Sequence, residues 1–139
     1  MKKILLFVLI TLFAVGCAKD NGEAELHILS IYNIQNDPLA FTGVIKIDGV
    51  ASSFSESDAT FFTVMDTNEL LACRNLYCGA YAMPARYSGS DPLPELADMV
   101  DITGSFVQTD DGYYFEVTEL VVRQNIMHRL TLSNPGGTQ

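Results

Sequence analysis

Apolar and polar residues alternate along much of this chain with a period of two, the signature of half-buried strands. The exception comes first. Ile4 to Val15 is an apolar run behind Lys2 and Lys3, and it falls short of the ~20 residues a membrane helix needs. Ala18 to Glu25 is polar and lacks large apolar side chains. In Leu26 to Ile34, alternation would set Leu26, Ile28, Tyr32 and Ile34 on one strand face. Helical spacing would put Ser30 at an N-cap with Ile31 and Ile34 inward, and this short helix is preferred. Asp37-Pro38 ends the segment either way. Phe41 to Val50 reads as a strand, with Ile45 and Ile47 facing one way and Lys46 and Asp48 the other. Ala51 to Asp58 reads as a loop. Phe61 to Met65 and Glu69 to Arg74 read as a hairpin about a turn at Asp66-Thr67-Asn68, with Leu71 and Cys73 sharing a face.

Asn75 to Met99 is irregular, punctuated by Pro84, Pro92 and Pro94, though Pro94 to Ala97 could make one helical turn. Val100 to Arg123 is the strongest hairpin. Ile102 and Phe106 alternate with polar residues, and Asp110-Asp111-Gly112 supplies the turn, with glycine taking the positive φ. On the return strand Phe115 and Val117 share one face, while Leu120 and Val122 have the opposite parity. A bulge near Thr118-Glu119 reconciles them and curls the sheet.

This order predicts a mainly β chain: a small five-stranded OB-like β-barrel with a short N-terminal helix, or alternatively a small β-sandwich. Residues 38–50, from Pro38-Leu39-Ala40-Phe41-Thr42-Gly43 through Ile45-Lys46-Ile47-Asp48-Gly49-Val50, resemble the opening of secreted OB-fold domains. Phe62 to Asp66 is similar to their second strand, Val100 to Phe106 to the fourth and Tyr114 to Leu120 to the fifth. The helix usual between strands three and four has no counterpart in the pattern. Such a fold implies nothing specific about function.

The leader carries a second resemblance. Ala14-Val15-Gly16-Cys17, behind a charged start and a short apolar run, resembles the lipobox of bacterial lipoproteins. That implies cleavage before Cys17, lipidation of Cys17, and a membrane partner held by acyl chains worth ~0.8 kcal/mol per buried methylene. Ala18, where Asp would signal inner-membrane retention, implies the outer membrane, with the periplasmic or surface leaflet open. The expected layout is a signal peptide at 1–16, lipidated Cys17 and a flexible tether at 17–25, a barrel domain at 26–125, and a strand remnant with a disordered tail at 126–139.

Loss of the leader leaves 123 residues, with 6 basic and 17 acidic side chains and a net charge of −11. Such a surface repels nucleic acid and anionic headgroups. It leaves a protein, glycan or small-molecule ligand as the expected partner.

Cys73 and Cys78 are the two cysteines left after Cys17. In an oxidising compartment they read as a disulfide, worth roughly 2–3 kcal/mol for so short a loop. The alternative is a metal- or redox-handling site, with Met83 as a thioether ligand. His27 and His128 sit in no ligand spacing, and Met65, Met83, Met99 and Met127 read as filler. No nucleophile, general base, phosphate loop or cofactor motif is present, so the chain reads as non-enzymatic and without a cofactor. Arg74, Tyr77, Tyr81, Arg86 and Tyr87, aromatics and arginines on an expected loop, form the candidate binding surface.

Overall fold

The computed structural model describes residues 26–132. The expectations for the leader, Cys17, the tether and the last seven residues lie outside the described residues. The elements are β1 (Ile28–Ser30), α1 (Ile31–Ile34), a 3-10 turn (Pro38–Ala40), β2 (Ile45–Phe54), β3 (Phe61–Met65), α2 (Thr67–Cys73), β4 (Ala82–Tyr87), β5 (Asp98–Thr109), β6 (Gly112–Asn125) and α3 (Met127–Leu132).

Six strands form one sheet in the order β1-β2-β3-β4-β6-β5, and β5 also pairs with β2. That extra pairing closes β2, β3, β4, β6 and β5 into a ring of five, the OB-like barrel, while β1 lies parallel to β2 outside it. Within the ring only β4 and β6 run parallel; the other neighbours are antiparallel. No helix links β4 to β5, in keeping with the sequence pattern.

Two readings of the N-terminal segment were open, and both hold in part. Ile28–Ser30 is a strand and Ile31–Ile34 a helical turn. Ser30 sits at the N-cap, and its N–H and Oγ both bond Asn33 Oδ1, at 3.4 and 2.6 Å. Ile31 and Ile34 are buried in the barrel core with Ile47, Phe62, Val64 and Ile102. Each such side chain contributes about 1.5–3 kcal/mol by its removal from water.

Four expectations are corrected. The strand at Phe41–Val50 begins at Ile45 and continues through the expected loop to Phe54. Glu69–Arg74 is not a strand; it lies largely in α2. Asp66 Oδ1 accepts the N–H groups of Asn68 (2.9 Å) and Glu69 (3.2 Å), which caps a helix that a turn would not need. Leu70 is then buried, and Leu71 is exposed. The true partner of β3 is β4, in register from Phe61↔Arg86 to Met65↔Ala82, inside the stretch expected to be irregular. Finally, the expected strand remnant after Asn125 is helix α3. Asn125 Oδ1 accepts Met127 N–H at 3.0 Å, and Ile126 is buried with Val50, Met65, Leu70 and Ala97 in a second core.

The long hairpin of β5 and β6 matches its expected turn, with Thr109 opposite Gly112 and Gly112 at φ +148°. The expected bulge is also present. Thr103 pairs with Glu119 but Gly104 pairs with Val117, which leaves Thr118 unopposed. A second shift leaves Arg123 unopposed between Val122 and Gln124. Its guanidinium reaches outward to Asp101 Oδ1 at 2.8 Å and Asp48 Oδ2 at 4.0 Å, across the seam where β2, β5 and β6 meet. Burial outweighs the Thr67 hydrogen bond and the arginine, and pushes the Asp48 carboxyl above its ordinary value.

Two outcomes follow from this packing. A Cβ at Gly104 would fall onto the carbonyl oxygen of Glu116, which is backbone and cannot swing away. Gly104→Ala is expected to cost about 2–3 kcal/mol as overpacking, measured by urea unfolding, whereas Gly79→Ala, with open space around it, should be near neutral. Asp48 with a raised folded value favours folding below its unfolded pKa, and that contribution is lost as pH rises through the folded one. Asp48→Asn should therefore raise the urea midpoint at pH 7, and the gain should vanish below about pH 4.

Candidate functional site

A groove of about 520 Å³ opens on the outside of β2 and β3, beneath the loop that joins them. A β2 bulge helps to shape it. Ala51 opposes Val64 but Ser53 opposes Thr63, so Ser52 is the extra residue. Ser52 is buried, and its Oγ donates to Thr63 O at 3.3 Å. Beyond the bulge Ser53 and Phe54 turn outward, and Phe54 lies nearly parallel to the Phe62 ring at 6.4 Å. The walls are Ser53, Ser55, Ser57, Asp58, Phe61, Thr63 and Pro84.

The loop is held by its own side chains. Asp58 Oδ1 accepts the Thr60 hydroxyl (2.6 Å) and N–H (2.9 Å), and Ser55 Oγ accepts the Asp58 N–H at 3.2 Å. The Thr60 bonds, hydroxyl first, hold the Asp58 carboxyl below the usual carboxylate range. Beside the groove, Phe61 meets Tyr114 edge-on at 5.3 Å, and Arg86 stands over Tyr114 at 5.2 Å. Arg86 also pairs with Glu116, Nε to Oε2 at 2.9 Å. The result is an aromatic floor with a hydroxyl rim. It offers stacking area and hydrogen bonds but no nucleophile poised beside a base.

The five residues chosen from the sequence do not form one surface. Arg74 is the exposed C-cap of α2, at φ 56°. Tyr77 is 91% exposed on the loop beyond it. Tyr81 is half-buried against Tyr32. Arg86 is tied to Glu116 on the outer barrel face. Tyr87 is corrected outright: it is buried, with its hydroxyl donating to Asp91 Oδ2 at 3.2 Å. The reason is β4. As a strand it alternates, sending Met83, Ala85 and Tyr87 inward and Pro84 and Arg86 outward. Reading the stretch as a loop hid that alternation. The groove residue Phe54 was missed because Ala51–Asp58 read as a loop, and Phe61, though read as strand, was given the wrong partner strand.

Cys73 closes α2 and Cys78 follows in the loop; both are half-buried thiols. Cys73 Sγ donates to Asn75 O at 3.2 Å. A hydrogen bond to Cys73, ahead of desolvation, pushes the Cys78 thiol up to about 11. Met83 lies in the barrel core, whereas Cys78 packs against the second core. Among the described residues no group of three or more His, Cys, Asp or Glu gathers to hold a metal ion. No described helix is long and apolar enough to cross a membrane.

No family model matches this chain, and no curated protein matches it. Among solved structures it is similar to the hypothetical protein ygiW from E. coli, at 9% identity and a TM-score of 0.46, covering 70% of this chain and 90% of that one. It is also similar to a protein assigned as an aspartyl-tRNA synthetase from Leishmania major Friedlin, at 8% identity and a TM-score of 0.47. That match covers 86% of this chain but only 25% of the other. The barrel itself rests on its own strand pairing.

The thiol geometry has a kinetic consequence. Cys73→Ala removes the partner that raises Cys78, whose thiol should fall back toward its ordinary value. Desolvation and Glu69 still raise it, so the fall is partial, and the gain in thiolate at pH 8 is offset in part by weaker intrinsic nucleophilicity. Alkylation of Cys78 by iodoacetamide, followed by mass spectrometry, should speed up severalfold in the reduced variant.

Proposed function

We propose that this chain is a lipid-anchored extracytoplasmic binding protein, non-catalytic, whose OB-like barrel takes its ligand in the groove over β2 and β3. The observation that carries the reading is the groove itself. OB folds commonly bind extended ligands over the second and third barrel strands and the loop before them; here those are β3, β4 and the loop joining β2 to β3, which line the groove together with the end of β2. The groove carries the exposed Phe54 and a rim of Ser53, Ser55, Ser57 and Thr63, with the Phe61–Tyr114 pair beside it. Aromatic faces beside hydroxyls suit an uncharged chain such as a glycan or a neutral peptide. The net charge of −11 after loss of the leader argues against nucleic acid. The lipobox-like Ala14-Val15-Gly16-Cys17 supports the anchor and, with Ala18, an outer-membrane address.

A second reading, metal or redox handling, draws support from one observation, the Cys73–Cys78 thiol pair. In an oxidising envelope the same proximity favours a structural disulfide. Intact mass of protein from the envelope, alkylated with and without prior reduction, separates them. A two-proton deficit without metal supports the binding protein; alkylatable thiols with stoichiometric copper or zinc support the alternative.

The anchor and the groove are tested apart. Full-length chain expressed in a bacterium should partition into the detergent phase of Triton X-114, and Cys17→Ser should move it to the aqueous phase. For the groove, an N-acetylglucosamine hexamer and a neutral, proline-rich peptide serve as probes. Perturbed NMR signals at Phe54, Phe61 and Thr63, with at least tenfold weaker binding in Phe54→Ala, are expected for one of them. Perturbation elsewhere, or none with either, would remove the groove from the proposal.

A further inference from the structure

A second, smaller cavity, of about 360 Å³, lies apart from the groove and shares no lining residue with it. Its lining includes Tyr32, Tyr81, Asp66, Glu69 and Ala72. The two tyrosine rings meet at 90° with centroids 5.2 Å apart, so they stand as adjoining walls of a box. Each wall is tied through its backbone to one of the carboxylates. Tyr32 N–H donates to Asp66 Oδ2 at 3.0 Å, and Tyr81 N–H donates to Glu69 Oε2 at 2.8 Å. The Asp66 N–H closes the circuit by donating to Tyr81 O at 2.8 Å.

The electrostatics of the cavity are one-sided. Two carboxylates line it and no Lys, Arg or His does. Asp48, a third carboxylate, is near enough to feel the charge of Asp66. An anion is therefore excluded. A cation is favoured, and the kind of cation follows from the hydrogen bonds. Asp66 Oδ1 is taken by two backbone N–H groups and Oδ2 by a third. Both Glu69 oxygens are taken, by Ala80 N–H at 3.0 Å and by Tyr81 N–H. Asp66 is only 2% exposed, and the surface the cavity presents is chiefly carbon. A primary ammonium brings three donors that need acceptors and a tightly held water shell. The second lone pairs of Glu69 and the Ser30 and Asn68 side chains repay it only in part, since the lining is chiefly carbon. A quaternary, methylated ammonium brings no donor, loses little hydration, and gains from ring faces in a negative field.

We propose that the Tyr32–Tyr81 pocket binds a methylated ammonium group. The group could come from a free solute such as choline or from a phosphatidylcholine headgroup, and the chemistry is the same for both. The site stands independently of the groove and of lipidation at Cys17.

The test is an NMR titration of the full chain in a non-ionic maltoside detergent, following the Tyr32 and Tyr81 signals. Tetramethylammonium and choline are the probes. Their control is 3,3-dimethylbutan-1-ol, which has choline's shape without its charge. Both cations are expected to saturate at millimolar concentration, and the neutral control to bind at least tenfold more weakly. Tyr32 is 56% exposed, so Tyr32→Leu should leave the urea midpoint unchanged while weakening choline at least tenfold. Tyr32→Phe should retain it. Equal affinity for the neutral control would reduce the pocket to an apolar hole and overturn the proposal. So would no saturation by tetramethylammonium at 50 mM, or choline binding that Tyr32→Leu leaves intact. Vesicles of phosphatidylcholine, set against phosphatidylglycerol, then assign the source. Competition with choline identifies a headgroup, and its absence a free solute.

Discussion

The barrel depends on one strand finding two partners. β5 pairs with β6 along its whole length and with β2 from Met99 to Gly104. A flat hairpin could not do both while β6 also reached β4. The bulge at Thr118 makes the difference, because an extra residue on one strand bends the ladder and raises its twist. Gly104 stands at that bend, where the Glu116 carbonyl occupies the space a side chain would need. Thr118 is not left idle, since its hydroxyl donates to Thr103 O at 3.1 Å. The second bulge frees Arg123 to bridge Asp101 and Asp48 over the outside of the same seam. Ring closure is thus set from within by a missing Cβ and from without by a charge bridge. The buried cluster from Ile47 to Phe115 fills the space that closure creates.

Asp66 plays a comparable part at the end of β3. Its carboxylate caps α2 and holds the Tyr32 N–H of α1, while its own N–H holds Tyr81. One residue therefore joins two helices and the approach to β4. Leu70 is swung into the second core with Ile126, and Cys73 is delivered to Cys78. The carboxylate is buried, and it is tolerated because three N–H groups replace the water it loses. The pocket beside it inherits the charge without the hydrogen-bonding capacity.

The legible parts of the fold were those where a single physical rule decided the pattern. The β5–β6 hairpin announced its turn through Gly112 and its bulge through the parity conflict between Val117 and Leu120. Ser30 announced α1. β4 was hidden because Pro84 lies within it and Arg86 breaks an apolar run. The proline is tolerated because it opposes Thr63 of β3 on one edge, while the pairing of β4 with β6 begins only at Ala85. α2 was misread because Leu70, Leu71 and Cys73 suit a strand as well as a helix. The deciding signal was present in Asp66 followed three residues later by Glu69, a capping pattern. The candidate site was hardly legible at all. The groove is drawn from residues 53–63 and Pro84, but it forms only because β2 runs on to Phe54 and β4 pairs with β3, and the tyrosine corner is not local in sequence. Phe54 and Phe61 meet Pro84 only through strand pairing, and Tyr32 meets Tyr81 across forty-nine positions.

Topology also sets how the two surfaces stand relative to the chain's approach. β1 runs parallel to β2 with Ile28 opposite Lys46, so the described chain begins beside the start of β2. Phe54, at the edge of the groove, is the last residue of β2. Eight residues separate Lys46 from Phe54, roughly 25 Å of strand at ~3.3 Å per residue. The groove therefore lies at the far end of β2 from the point where the described chain begins. The tyrosine corner is different. Tyr32 follows β1 by only two residues, and β1 ends with Ser30 opposite Asp48, so that pocket lies beside the middle of β2. An uncharged, extended ligand and a methylated ammonium would thus not compete for one surface, because the two linings share no residue.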